Sequence, residues 1–136
     1  MKLNGMMLAA FLISGCVPQE FWVRPSVTYD KYERDFVGCQ TVATQAVPTN
    51  TQVSWAPYVG IYSVDTNAQL RVSNFEICMR DKGYSQVTLQ PCEGPALAAA
   101  QAEAKLPRDR NRKMNMSASS CYVFAADGTQ FLYSGT

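Results

Sequence analysis

The sequence predicts an α+β fold, in which two disulfide-linked antiparallel helices pack on a small three-stranded antiparallel sheet. Two segments with helical spacing of apolar residues each contain a cysteine, Cys39 and Cys78. Near the carboxyl end, Asp127-Gly128 separates two alternating runs, which is a strong short-range signal for a β-hairpin. We therefore expect a single small domain over residues 28–136.

The first helix is predicted over residues 29–47. Its apolar residues recur at steps of three and four and form one stripe: Tyr29, Tyr32, Phe36, Cys39, Ala43 and Ala46. Asp30 and Glu33 have the spacing of a capping box, and Pro48 ends the pattern. We expect Cys39 to face the core.

The second helix is predicted over residues 66–82, with Thr66 and Gln69 at capping-box spacing. Its apolar stripe consists of Ala68, Val72, Phe75 and Met79, with Cys78 beside it. Lys82 followed by Gly83 favours a helix end, because a cation suits the last turn and glycine tolerates a positive φ.

The sheet is expected to combine a strand at residues 85–90 with the hairpin at 121–134. A two-residue turn at Asp127-Gly128 would place Phe124 opposite Phe131, Tyr122 opposite Tyr133, and Val123 opposite Leu132. Because an isolated hairpin is marginally stable, we assign the 85–90 strand as its third strand.

Apart from Cys16, the chain has four cysteines: Cys39, Cys78, Cys92 and Cys121. An even number in an exported chain indicates two disulfides, and four cysteines allow three pairings. Facing helices favour Cys39–Cys78, and the strand and hairpin ends favour Cys92–Cys121. Each bridge would contribute roughly 3–4 kcal/mol in the chain-entropy model. With no C-x-x-C pair and no histidine, no metal site is expected.

The amino-terminal segment is typical of an export signal. One cation, Lys2, precedes the apolar run 6–13, which is far shorter than the roughly 20 residues of a membrane span. The run ends in Ile13-Ser14-Gly15-Cys16, which resembles the lipobox of bacterial lipoproteins. The sequence therefore predicts a signal peptide over residues 1–15 and a lipidated tether over 16–27.

The lipobox resemblance implies that Cys16 carries a diacylglycerol thioether and that its freed amine carries a further acyl chain such as palmitate. Two or more chains anchor a protein stably, whereas one chain does not. Val17, rather than Asp, follows the cysteine, which favours the periplasmic face of the outer membrane. The inner membrane and the cell surface remain alternatives.

Residues 52–64 are aromatic and apolar without a clear period. They are expected to form an ordered loop over the core or to contain a short strand near 59–64. Trp55, Tyr58 and Tyr62 are the candidate interaction surface. The alternative is that they fill the edge of the core, as aromatic residues of small domains often do.

The segment 95–120 is expected to be mobile. Its alanine-rich helix has little bulk to bury, and a basic cluster follows: Arg108, Arg110, Arg112 and Lys113. This cluster would contact anionic lipid headgroups or form a solvated loop.

Earlier in the chain, Cys78-Met79 and Lys82-Gly83-Tyr84 are similar to a C-M-x-x-K-G-Y stretch of small bacterial envelope lipoproteins, a resemblance that implies no activity.

The composition favours a binding protein over an enzyme. The chain lacks histidine, a nucleophile elbow, a phosphate-binding glycine loop and a zinc-protease motif. Loss of Lys2 with the leader reduces the 12 basic residues to 11, equal to the 11 acidic residues, so no nucleic-acid partner is expected. We expect no cofactor and a structural or accessory role through contacts with an envelope protein. The alternative is a ligand-binding or enzyme-inhibitor module.

Overall fold

A computed structural model describes residues 17–135, so the predicted signal peptide and Cys16 lie outside the described residues. The chain is α+β, as predicted. Its elements in order are β1 (Gln19–Val23), α1 (Tyr29–Ala46), β2 (Thr51–Ala56), β3 (Gly60–Asp65), α2 (Ala68–Asp81), β4 (Ser85–Leu89), α3 (Gly94–Ala104), β5 (Cys121–Phe124) and β6 (Gln130–Tyr133). Within this part of the chain, no helix is both long and apolar enough to cross a bilayer.

Helices α1 and α2 pack together and are joined by the Cys39–Cys78 disulfide. Cys39 and Met79 are fully buried at their contact, and the aromatic rings of Phe36 and Phe75 meet edge to face. The predicted pairing is therefore the one formed. The stripe predicted for α2 is correct only in part, because Val72 is exposed.

Both predicted capping boxes are wrong. The cap of α1 is Thr28, whose hydroxyl accepts a hydrogen bond from the Lys31 backbone N–H, and α2 begins after Asn67 without a side-chain cap. The predicted end of α2 is confirmed. Gly83 takes a φ of 83°, and Tyr84 N–H donates to Met79 C=O at 3.0 Å.

Part of the segment expected to be a tether is a strand of the domain. β1 pairs antiparallel with β4, so that Phe21 lies opposite Val87. Trp22 and Val23 are buried, and the Trp22 ring contacts Phe75 edge to face. Trp22 therefore packs on the domain.

The expected three-stranded sheet is wrong, because the described residues form three separate two-stranded sheets: β1–β4, β2–β3 and β5–β6. β4 pairs with β1, which sequence periodicity did not identify as a strand. The chain after β4 reaches the hairpin through one parallel bridge between Pro91 and Tyr122. That bridge places Cys92 beside Cys121, and the predicted disulfide forms.

The predicted register of the β5–β6 hairpin is wrong by one residue. Val123 pairs with Phe131 and Phe124 with Gln130. Gly128, with a φ of 80°, donates its N–H to Ala125 C=O, and Ala125 N–H donates to Thr129 C=O. The turn thus holds three residues rather than two, and the extra residue shifts every pair.

Helix α3 packs on β5 and β6, and Ala100 is fully buried there. Small side chains allow α3 to approach the hairpin closely, while most of its other residues stay exposed or half-buried. Farther along, Met114 N–H donates to Val27 C=O at 2.7 Å, and Tyr29 N–H donates to Arg112 C=O at 2.9 Å. The mobility expected for residues 95–120 stays a prediction.

Candidate binding hairpin

The segment 51–65 forms a β-hairpin, where the sequence predicted a loop or one short strand. β2 pairs antiparallel with β3 from Thr51–Asp65 at the base to Ala56–Gly60 at the tip. The two strands pack mainly on each other, since neither has a substantial interface with another element. The hairpin therefore projects from the end of the helix pair, between α1 and α2 in the chain.

The apolar side chains of this hairpin are exposed on both faces. Directly opposed residues of an antiparallel pair share a face, so Trp55 and Ile61 lie together on one face, with Val53 beside them. Their exposed fractions are 69%, 78% and 70% respectively. Exposed apolar side chains clustered in this way are typical of an interaction site.

The three predicted interaction residues are all exposed, but they do not share one face. Trp55 lies on the first face, Tyr62 lies on the second face opposite Ser54, and Tyr58 lies in the tip turn. The alternative, that they fill the core edge, is wrong. Sequence reasoning missed Val53 and Ile61, although both lie in the β-branched runs that flank Pro57.

Tyr58 adopts a backbone conformation that side-chain-bearing residues rarely adopt. Its φ is 67°, and Val59 N–H donates to Ala56 C=O across the turn. Pro57 before a residue of positive φ is the arrangement of a type II turn, whose third position usually holds glycine. A tyrosine there costs of order 1 kcal/mol. Such strain is found most often at functional sites.

The base of the hairpin is fixed by a network around Asp65. One carboxylate oxygen accepts from the backbone N–H groups of Asn50 and Asn67, each at 3.1 Å, and the other forms an ion pair with Arg71. The hydrogen bond from Arg71, followed by that from Asn50, lowers the pKa of Asp65 to about 2. Asp65 therefore stays ionised across the physiological pH range and keeps its ion pair with Arg71 at the base of the hairpin.

The hairpin lacks the features that usually protect exposed strands. No charged residue occurs between Asp35 and Asp65, so both strands up to Val64 are neutral. Their outer edges have no partner strand in the described part of the chain. Natural proteins usually guard such edges with charges, prolines or bulges. The charge-free run is visible in the sequence and could have marked this site.

The buried carboxylate Asp35 belongs to a different environment. It lies 6% exposed in α1 and interacts with Lys31 at 3.0 Å, the Tyr84 hydroxyl at 3.0 Å, and Lys82 at 3.4 Å. Burial raises the pKa of Asp35, but the hydrogen bonds from Lys31, Tyr84 and Lys82 outweigh it and leave that pKa below its ordinary value. Lys31 and Asp35 lie in α1, whereas Lys82 and Tyr84 follow the end of α2. The cluster therefore connects α1 to the exit of α2.

Among residues 17–135, no group of three or more His, Cys, Asp or Glu side chains is arranged to hold a metal ion. The four described cysteines are all consumed by disulfides. The hairpin is the most exposed apolar feature of these residues.

No protein-family model matches the chain, and no curated protein or solved structure is significantly similar to it.

Proposed function

We propose that this protein is a lipid-anchored lipoprotein of the bacterial envelope that acts by binding a partner protein through the β2–β3 hairpin. The observation that carries the proposal is the exposure of Val53, Trp55 and Ile61 on a hairpin that packs mainly on itself. The lipobox at residues 13–16 supplies the anchor, through Cys16. Localisation at the periplasmic face of the outer membrane is part of the proposal.

The chemistry of the hairpin suits a neutral, apolar protein surface. Burial of apolar area stabilises association by about 25 cal/mol per Å², and tryptophan and tyrosine are enriched among the residues that dominate binding energy. The absence of charge from Phe36 to Val64 means that a partner need not desolvate an ion on this side. The Asp65 network holds the hairpin in place before binding, which reduces the entropy cost of association.

The proposal is tested by crosslinking in intact cells. A photoreactive phenylalanine analogue at position 53 or 61 should yield one adduct of defined mass with an envelope protein. The same analogue at exposed Val37 or Val42, away from the hairpin, serves as the matched control. Equal adducts from all four positions, or none from 53 and 61, would contradict hairpin-mediated binding.

The anchor is tested separately by fractionation. We expect the native chain in the membrane fraction and a Cys16→Ser chain in the soluble periplasm. Intact mass should show the acyl additions on Cys16, and an unmodified cysteine would end this part of the proposal without affecting the crosslinking result.

Enzyme inhibition is the second candidate function. It is favoured by the projecting tip, where Tyr58 is fully exposed and held by a turn of fixed geometry. A tip of this kind can enter the cleft of an enzyme, in which case the strongest crosslinks should come from position 58 and should identify a secreted hydrolase rather than an envelope component.

A further inference from the structure

A cleft of about 710 Å³ lies between the helix pair and the β5–β6 hairpin. One wall comes from β1 and the first turns of α1, and the other from residues 103–115 and β6. Its volume is within the range of small-molecule sites, which is about 300–1,000 Å³. The β2–β3 hairpin contributes nothing to this cleft, so it is independent of the proposed protein contact.

The floor of the cleft is aromatic. The rings that line it come from four different elements: Phe21, Tyr29, Tyr32, Phe36, Phe75 and Phe131. Adjacent rings support one another, since the centroids of Tyr32 and Phe36 are 5.7 Å apart and those of Phe36 and Phe75 are 5.0 Å apart. Such a surface suits an aromatic or acyl body.

The carboxylates at the cleft already have donors. Glu20 accepts from the Gln86 amide at 2.6 Å, Glu103 is paired with Arg112, and Asp109 accepts from the Asn111 N–H at 2.9 Å. Of these three carboxylates, only Glu103 forms an ion pair, whereas Glu20 and Asp109 accept hydrogen bonds from neutral groups.

Two cations of the lining are not matched in this way. Arg108 lies over the Tyr29 ring, with its Cζ atom 4.4 Å from the centroid, and bonds to the Tyr29 hydroxyl. The hydrogen bonds that Asp127 accepts from the Thr129 hydroxyl and N–H lower the pKa of Asp127, and the charge of Arg108 adds a smaller effect in the same direction. Among residues 17–135, neither Arg108 nor Lys113 forms an ion pair. The basic cluster noted in the sequence therefore brings two cations without an ion-pair partner to an aromatic cleft.

We propose that this cleft binds a single amphipathic anion, an aromatic or acyl body bearing one carboxylate or phosphate. The apolar body lies against Tyr32, Phe36 and Phe75, and the anionic head meets the Arg108 guanidinium and the Lys113 ammonium. A guanidinium held on an aromatic ring is oriented before the ligand arrives, which favours a charge-assisted, directional bond.

The chain provides its own reporter. Of the two tryptophans, Trp22 lines the cleft and Trp55 lies on the hairpin, so Trp55→Phe leaves Trp22 as the only indole. The protein is the exported Cys16→Ser chain, purified without detergent. Decanoate, decyltrimethylammonium and decanol, each below its micelle-forming concentration, share one tail and differ in head charge.

Decanoate is expected to shift the Trp22 emission in a saturable manner and to bind at least about tenfold more tightly than decyltrimethylammonium. The double variant Arg108→Gln, Lys113→Gln should weaken decanoate binding by about tenfold or more, the loss expected when a charge-assisted bond is removed. Binding of decanol should change by less than about twofold. The matched control, Arg80→Gln with Lys105→Gln, removes two cations outside the cleft lining and should leave all three titrations unchanged.

A third variant separates binding from folding. Gln130 is exposed and lines the cleft, so Gln130→Phe should narrow the cleft and weaken binding of both decanoate and decanol, while the far-ultraviolet circular dichroism stays native. Equal affinity for the anionic and cationic tails would overturn the proposal. So would binding of anionic phospholipid vesicles without saturable binding of decanoate, which would assign the basic cluster to a bilayer surface.

Discussion

The helix pair and the β2–β3 hairpin are adjacent in the chain but opposite in their physical character. The helix pair buries a charge, Asp35, and surrounds it with three donors from Lys31, Lys82 and Tyr84. The hairpin exposes apolar side chains and carries no charge before Asp65. One region places a polar group inside and satisfies it, and the other places apolar groups outside and leaves them uncovered.

This difference indicates how stability and binding are divided. Buried Met79 and the Cys39–Cys78 bridge connect elements far apart in sequence, so they hold the domain together. Trp55 and Ile61 contribute little to that core because they remain in water. Substitutions in the helix pair should therefore change folding, whereas substitutions in the hairpin should change recognition.

The largest effect is expected from removing the Cys39–Cys78 disulfide. The bridge closes a 39-residue separation, so Cys39→Ala with Cys78→Ala should lower the free energy of unfolding by about 4 kcal/mol in the chain-entropy model. Urea denaturation measures the loss. The matched variant, Cys92→Ala with Cys121→Ala, removes the bridge that closes a 29-residue separation. Its loss of unfolding free energy should be slightly smaller. An unchanged midpoint in the first variant would contradict the assignment of the helix pair as the stabilising region.

Met79→Ala and Trp55→Ala compare the two regions directly. Met79 is fully buried, so its truncation should cost about 2–5 kcal/mol of unfolding free energy. Trp55→Ala should stay within about 0.5 kcal/mol of the native chain, because the side chain is largely exposed. In the intact-cell crosslinking experiment, Trp55→Ala should reduce the adduct from position 53 more than Met79→Ala does. A loss of several kcal/mol in Trp55→Ala would mean that the hairpin packs on the core.

Acid should weaken the helix pair through Asp35. Because the pKa of Asp35 is lowered in the folded state, its contribution is present above the unfolded value of about 4 and is lost as the pH falls through the folded value. Asp35→Asn should lose roughly 1–3 kcal/mol at neutral pH, since the change removes the charged acceptor of the buried Tyr84 hydroxyl and of the Lys31 and Lys82 ammonium groups. Its stability should also depend less on pH below about pH 4.

Exposed Asp81 provides the control for this measurement, because Asp81→Asn changes the same charge at the end of α2 without touching the buried cluster. If both variants show the same dependence of unfolding free energy on pH, Asp35 does not act through its buried partners.

A small effect on stability is also expected from Tyr58→Gly. Glycine accepts the positive φ of this position without a steric cost, so the free energy of unfolding should stay constant or rise by up to about 1 kcal/mol. The crosslinked adduct from position 61 should nevertheless decrease, since the exposed ring is lost. Gly128→Ala in the β5–β6 turn is the converse control, because it places a side chain at positive φ and should destabilise. A large loss of stability in Tyr58→Gly would mean that the ring packs on the domain.

Features set by neighbours in the sequence were predicted well. The stripe containing Cys39, the end of α2 at Gly83 and both disulfide pairings follow from helical spacing and chain direction. Capping was predicted less well, because Thr28 and Asn67 compete with nearby residues that satisfy the same spacing rule.

Strand partners could not be predicted from local pattern. β1 contains Trp22 and Val23 but lies between two prolines and shows no alternation long enough to identify it. β4 pairs along its length with β1, and the chain meets the β5–β6 hairpin only after β4, at the bridge between Pro91 and Tyr122. The one-residue register error has a similar origin, since Asp127-Gly128 occurs in both two-residue and three-residue turns.

By itself, the sequence determined the helices, the cysteine pairing and the resemblance to a lipidated export signal, because each depends on residue spacing within one short segment or on chain direction. Tertiary structure alone decided which strand pairs with β4, that the 51–65 segment stands free of the core, and that Arg108 reaches Tyr29 across an aromatic cleft. These outcomes depend on competition between distant segments for the same hydrogen bonds and buried area, and local spacing contains no information about the competitor.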